Sequence, residues 1–301
     1  MATLLHISDL HRTPTAEVSN VVLRHALGRD LSTLSLSIDL IIVSGDIVQG
    51  SKAGSADELT RQYAEVTAFL DELAQDLLGG DRNRVIIVPG NHDVDWTASK
   101  TSMTAVTATG DQKKSLLKEL FATRSVVRWS WSDFEFYRIT TPAQYQQRFS
   151  AFCHFYDDFY RGSRTYPLDP AEQIGIFDYP ALNITVLGLN SCHDNDHCNH
   201  AGRINPDCIA HAGRVLRDPR LANRTRIAVW HHNTKGAPQD TAYMDSRILA
   251  NLIDLRFAVG LHGHQHRTDI VDEYVSMTRR QRMTLISAGS LCAGADEMPT
   301  G

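Results

Sequence analysis

Five short apolar runs in this chain are each followed at once by a cluster of acidic, amide or imidazole side chains, and that pairing limits the fold more than any other feature. The runs are Thr3–Ile7, Leu40–Val43, Val85–Val88, Ile227–Trp230 and Phe257–Leu261. The clusters behind them are Asp9-Leu10-His11, Gly45-Asp46, Gly90-Asn91-His92-Asp93, His231-His232 and Gly263-His264-Gln265-His266. Short, bounded runs of bulky and β-branched residues read as buried strands. The polar clusters then leave the carboxyl ends of strands, where open α/β sheets gather their ligands. Residues from opposite ends of the chain can meet there in one cleft.

With 301 residues, 42% of them hydrophobic, the chain can bury a large core, and residues 1–301 read as one domain. Strand-like and helical patterns alternate, which predicts α/β layering. Ser55-Ala56-Asp57-Glu58 reads as a capping box, and Tyr63, Val66, Phe69, Leu70, Leu73 and Leu77 lay one helical face on a sheet. The stretch from about 96 to 175 breaks the alternation. It holds a helical pattern around Leu116, Leu117, Leu120 and Phe121, then an aromatic run, Trp129, Trp131, Phe134, Phe136 and Tyr137. A second helix follows, with Thr141 at its N-cap, Pro142 at N1, and a stripe of Tyr145, Phe149, Phe152, Tyr156 and Phe159. The whole reads as an inserted helical, aromatic-rich cap. Rings at helical spacing mostly pack a core, whereas Arg124, Arg128, Arg138, Arg148, Arg161 and Arg164 carry the planar guanidinium suited to phosphate. Ile184–Leu189 reads as a further strand, and Asn205-Pro206 opens a further helix.

A net charge of −5 and a pI near 6.3 advertise no general attraction to nucleic acid. Five cysteines do not suggest a disulfide framework, the N-terminus shows no leader pattern, and no apolar run approaches the roughly 20 residues that span a bilayer. The expectation is a reduced, cytoplasmic protein with no membrane anchor. Gly301 follows closely on the strand-like Arg282–Ser287, which points to a native chain continuing into a fused downstream domain.

The clusters carry a recognisable chemistry. Hydrolysis of a phosphate ester needs a hydroxide near neutral pH and neutralisation of the phosphoryl oxygens, and two metal ions about 3.5–4 Å apart supply both. Asp46, alone in its cluster, is the natural bridge. Asp9 and His11 can converge on one ion, Asn91 offers an amide oxygen to the other, and His231, His264 and His266 supply imidazoles. Mixed nitrogen and oxygen ligation suits Mn, Fe, Zn, Co or Ni better than Mg or Ca. His6 and His262, within or beside strands, read as structural.

In these motifs, D-x-H, G-D, G-N-H-D, H and G-H-x-H in order from Leu4 to Ser290, the chain resembles the calcineurin-like metallophosphoesterase superfamily. The resemblance implies a two-sheet sandwich flanked by helices in four layers. It also implies one ion held by Asp9, His11, Asp46 and His266, and a second by Asp46, Asn91, His231 and His264. His92 would contact the phosphate and stabilise the transition state or protonate the leaving oxygen, and Asp93 would orient it or brace the loop. Gly45-Asp46-Ile47-Val48-Gln49-Gly50 departs from the G-D-x-x-D-R-G of the protein serine/threonine phosphatases. Ser44–Val48 and His231-His232 look more like the bacterial cyclic-nucleotide and glycerophosphodiester phosphodiesterases, although Asn233 stands where those carry proline.

Two Cys and three His lie in Cys192–His200, after the Leu187–Asn190 strand end. This segment reads as a substrate-facing loop, with a structural zinc site or an ordinary polar loop as the alternatives. On the first reading His193, His197 and His232 touch substrate. The functional expectation is a phosphodiesterase for a small or cyclic nucleotide-type diester, with no membrane partner. A nuclease, a phosphomonoesterase and a non-catalytic scaffold are the other readings.

Overall fold

Each of the five apolar runs forms a strand in the computed structural model, which describes residues 2–50, 56–122, 124–235, 242–276 and 281–291. The first three, β1 (Leu4–Ile7), β2 (Leu40–Val43) and β3 (Val85–Ile87), make a parallel sheet in the order β1-β2-β3. Within the insert, β4 (Met103–Val106), β5 (Val127–Ser130) and β6 (Glu135–Ile139) form an antiparallel sheet of their own, in the order β4-β6-β5. The remaining strands are β7 (Ile174–Tyr179), β8 (Ile184–Leu189), β9 (Thr225–Val229), β10 (Phe257–His262), β11 (Asp269–Ser276) and β12 (Gln281–Ser287). They form a mixed sheet in the order β11-β12-β10-β9-β8-β7, with β8, β9, β10 and β12 parallel and the two edge strands antiparallel.

Side-chain alternation shows how the sheets stack. Val186, Ile227, Val229 and Leu261 of the large sheet share one core with Leu40–Val43 and Ile86 of the small one. Their neighbours Leu187, Ala228 and Trp230 point the other way, onto the helices Pro206–Val215 and Arg247–Asp254. The outer side of the small sheet is covered by Asn20–Leu34 and Ala56–Leu78. The result is the expected helix–sheet–sheet–helix sandwich. Asn205 caps its helix, accepting from Asp207 N at 2.9 Å; the expected capping box at Ser55 lies outside the described residues.

The insert departs from expectation twice. The aromatic run around Trp129–Tyr137 forms β5 and β6 rather than a helical layer, because Trp129 and Phe136 meet as cross-strand partners, rings 4.7 Å apart. The helix Ser150–Phe159 is no part of a cap: Phe152, Phe155, Tyr156 and Phe159 are buried in the main core, with Phe155 stacked on Tyr63. Its two-sided aromatic content belongs to a helix that seals the sandwich. The protruding part therefore runs from the helix Trp96–Thr101 to the short helix Pro142–Gln146. Cys153, Cys192, Cys198 and Cys208 are free, and among the described residues no helix is long and apolar enough to cross a membrane.

Candidate metal centre

Strand register brings the five clusters to one edge. Ile7 pairs with Val43, Val43 with Ile87, and Val229 with Leu261, so neighbouring strands end level. Backbone pairing continues past the strands: Asp9 N donates to Gly45 O (3.1 Å), His11 N to Asp46 O (3.0 Å) and Gly263 N to His231 O (3.0 Å). Two contacts close the sandwich there, His264 N to Asp9 Oδ2 (3.1 Å) and His231 Nδ1 to Ser44 O (2.9 Å). Asp9, His11, Asp46, His264 and His266 all have positive φ, between 43° and 76°. Asp and His tolerate this conformation better than most residues, but five such residues at one edge concentrate strain where side chains must aim inward. The motif glycines permit the approach: a Cβ on Gly90 would lie 2.1 Å from Asp46 Oδ1, and one on Gly263 1.9 Å from Ser8 Oγ.

Two groups of donor atoms result. In one, His266 Nε2 lies 3.3 Å from Asp9 Oδ1 and 3.4 Å from His11 Nε2. In the other, His231 Nε2 lies 3.1 Å from Asp46 Oδ2, 3.1 Å from Asn91 Oδ1 and 3.2 Å from His264 Nδ1. Ligands at about 2.0–2.2 Å from a common ion sit about 3 Å apart, so both groups have the spacing of an ion's coordination shell. Asp46 stands between them, within 4.8 Å of ligand atoms in each. Donating Nδ1–H to Ser44 leaves the Nε2 lone pair of His231 facing the group, the tautomer a ligating histidine needs. Asp9 Oδ1 is buried without a hydrogen bond. A carboxylate oxygen so placed, among imidazoles, fits a cation.

The electrostatics agree. Burial pushes Asp46 toward the neutral acid, but His231 and His92 outweigh it and hold the carboxyl well below its usual range. For His231 burial opposes protonation, yet the charge and hydrogen bond of Asp46 raise its pKa to about 9. Burial holds His6 and His262 near 4, and both are structural: His6 Nε2 meets Ser44 Oγ at 2.9 Å and His262 stacks on Trp230.

The other expected site residues divide. His92 lies beside the groups, Nδ1 on Gln49 O at 2.7 Å and Nε2 3.9 Å from Asp46 Oδ2, its side chain 31% exposed. Asp93 turns away from it, accepting from Gly90 N (2.7 Å), Ile47 N (3.3 Å) and Tyr63 Oη (3.1 Å). Of its two expected roles, bracing the loop is the one the geometry shows, and it is a positioning residue rather than a catalytic one. His232 is buried, bonded to Ser191 Oγ at 2.9 Å and packed on the His264 ring. His193 and His197 face the insert: His193 lies 3.6 Å from Asp194, and His197 Nδ1 meets Ser99 Oγ at 3.3 Å, its ring edge-on to Tyr137. Neither contact is with the donor groups. Asp196, His197 and Cys198 stand close enough for a third ion. The Asp196 oxygens are already taken, however, Oδ1 by Cys198 N and Asn199 N, Oδ2 by Arg128 Nε and Tyr145 Oη. That trio is a structural knot.

Sequence reasoning passed over Ser191, which donates or accepts at His232 and receives His231 N (3.1 Å), and Trp96, stacked on His200. It also missed what Arg148 does. Buried, this side chain binds the carbonyls of Asn195, Tyr145 and His193 and fastens the loop to the insert. Nothing local marks such roles; they depend on which distant segment arrives opposite.

Residues 2–268 match the family model described as calcineurin-like phosphoesterase. A dimetal phosphatase from Danio rerio has a similar structure, with a TM-score of 0.51 at 13% identity over 97% of this chain and 88% of that one. A Thermus thermophilus protein aligns more loosely, with a TM-score of 0.44 at 12% identity over 97% of this chain and 90% of that one. The first likeness bears on the fold, and the second is too loose to carry an argument. A search of curated proteins returned no significant match.

Proposed function

We propose that this chain, which belongs to the calcineurin-like phosphoesterase family and with it to the metal-dependent phosphate-ester hydrolases, acts on small diesters of nucleotide type. The observation that carries the reading is the pair of donor groups meeting at Asp46, with His92 turned toward the same carboxylate. Asp9, His11, Asp46 and His266 would hold one ion, and Asp46, Asn91, His231 and His264 the other; Mn, Fe, Zn, Co or Ni suits the set. Bound ions there supply water activation and charge neutralisation. The chain's own acid is His92: its Nδ1–H stays on the Gln49 carbonyl, and a proton on Nε2 passes to the leaving oxygen. Asp93 keeps that loop in place through Gly90 and Ile47.

Charge supports a diester over a monoester. A dianionic monoester calls for extra cationic donors. Five arginines of the stretch 96–175 are engaged elsewhere: Arg124 with Asp207, Arg128 with Asp196, Arg138 with Glu119, Arg148 with three carbonyls, and Arg164 with Ile176 O. A singly charged diester needs less. The net charge of −5 is the reason to rank a nuclease lower. The test compares bis-p-nitrophenyl phosphate with p-nitrophenyl phosphate on Mn-reconstituted protein, with His92→Ala as control. Diester preference, lost in the variant, is expected; monoester preference overturns the reading.

A further inference from the structure

A cavity of about 380 Å³ lies between the insert and the loop that follows Asn190, and none of its lining residues belongs to the two donor groups. Phe121, Trp129 and Trp131 line it from the insert, and Asn199, Gly202 and Arg203 from the loop. Its volume falls in the range of small-molecule pockets, roughly 300–1,000 Å³. Trp129 and Trp131 meet edge-on, centroids 5.8 Å apart at 87°, and so form two perpendicular aromatic walls. Trp131 is 69% exposed and Phe121 84% exposed. Large rings left in water at the mouth of a cavity are the surface a ligand covers, not core packing.

The polar groups select the ligand further. Arg203 bonds Asp194 at 2.8 Å while its side chain stays 40% exposed. Behind it, buried Arg128 and Arg148 face the same Asp194 and Asp196. Flat walls beside a partly exposed guanidinium define a flat anion.

We propose that this cavity is a second small-molecule site, separate from the metal centre, taking an anionic heteroaromatic ligand of about mononucleotide size. The ring stacks on Trp131 against Trp129, and the charged group lies toward Arg203. The cavity wall is also coupled to the metal edge. Gly202 packs so closely on His232 that a Cβ there would come within 2.5 Å, so movement of this segment on binding reaches His232. The proposal holds whichever ester the metal centre cleaves.

Calorimetric titration of the Asp46→Ala protein, which lacks the shared ligand, tests it with AMP, adenosine and inorganic phosphate as probes. AMP is expected to bind saturably, adenosine more weakly and phosphate not measurably. Trp131→Ala and Arg203→Gln, each added to Asp46→Ala, should weaken AMP by about tenfold or more, the range for loss of a stacking ring or a paired charge. Trp96→Ala, which removes the ring stacked on His200 and lines no part of the cavity, should leave binding unchanged. Absence of saturable AMP binding, equal binding by both cavity variants, or loss only with Trp96→Ala would each overturn the proposal. Circular dichroism confirms folding, and Arg203→Gln alone decides the matter if Trp131→Ala does not fold.

Discussion

The metal edge and the junction between the insert and the 192–203 loop both take charged side chains out of water, and they do so in opposite ways. At the junction the central charges are met within the chain: Asp196 accepts from four donors, and Arg148 gives its guanidinium to three carbonyls. At the edge a buried carboxylate oxygen is left open. Imidazole nitrogens stand 3.2–3.4 Å from one another, and Asp9 Oδ1 has no hydrogen bond. Buried polar groups are normally satisfied, so a saturated cluster is structural and an unsaturated one is built around something else. The contrast separates the Asp9 carboxylate, with an oxygen left open, from the fully bonded Asp196 of the Asp196–His197–Cys198 trio, although all three groups offer ligand-type atoms at similar spacing.

The comparison can be broken most directly at Asp46. Asp46→Ala should strip both ions and reduce phosphoesterase activity to background, read by elemental analysis and turnover together; retained metal would show that the groups do not share it. His92→Ala should keep its metal while turnover falls by about 10²–10⁴-fold. A collapse of metal content would instead move His92 into the ligand set. Arg148→Ala attacks the saturated side: leaving three carbonyls without a donor should cost about 2–4 kcal/mol in denaturant unfolding, with metal stoichiometry unchanged.

The smallest expected effect is on pH dependence. In the metal-free protein His231 is raised to about 9, so its pairing with Asp46 stabilises the fold fully below about 6.5 and is lost as pH rises through about 9. Metal binding runs the other way, because the ligand must be neutral. Uptake at pH 7 should release a proton, and affinity should weaken by up to about tenfold per pH unit below 9. Calorimetry in buffers of different ionisation enthalpy measures that release; no proton released would refute the pairing.

Much of the scaffold was legible. Runs such as Leu40–Val43 and Val85–Ile87, fully buried as strands, are apolar throughout, and a segment buried on both faces has no other way to be written. The insert was less so. Phe152 and Tyr156 look alike in sequence whether they pack a cap or the main core, and Trp129 and Phe136 pair only because β5 and β6 fold back on each other. His193 and His197 carried as much ligand chemistry as His264, but their loop turns toward Arg128, Arg148 and Ser99.

By itself, then, the sequence determined the α/β layering, the strand ends and the residue types offered there, because burial and ligand chemistry are properties of residues in order along a chain; the two-sheet sandwich followed from the family resemblance. Tertiary structure alone decided which of those residues meet. The grouping of Asp9 with His266, the turning of Asp93 toward Gly90, the division of the insert and the aromatic cavity behind Gly202 each depend on a contact between segments far apart in sequence. Such contacts are set by register and packing, and no local pattern encodes them.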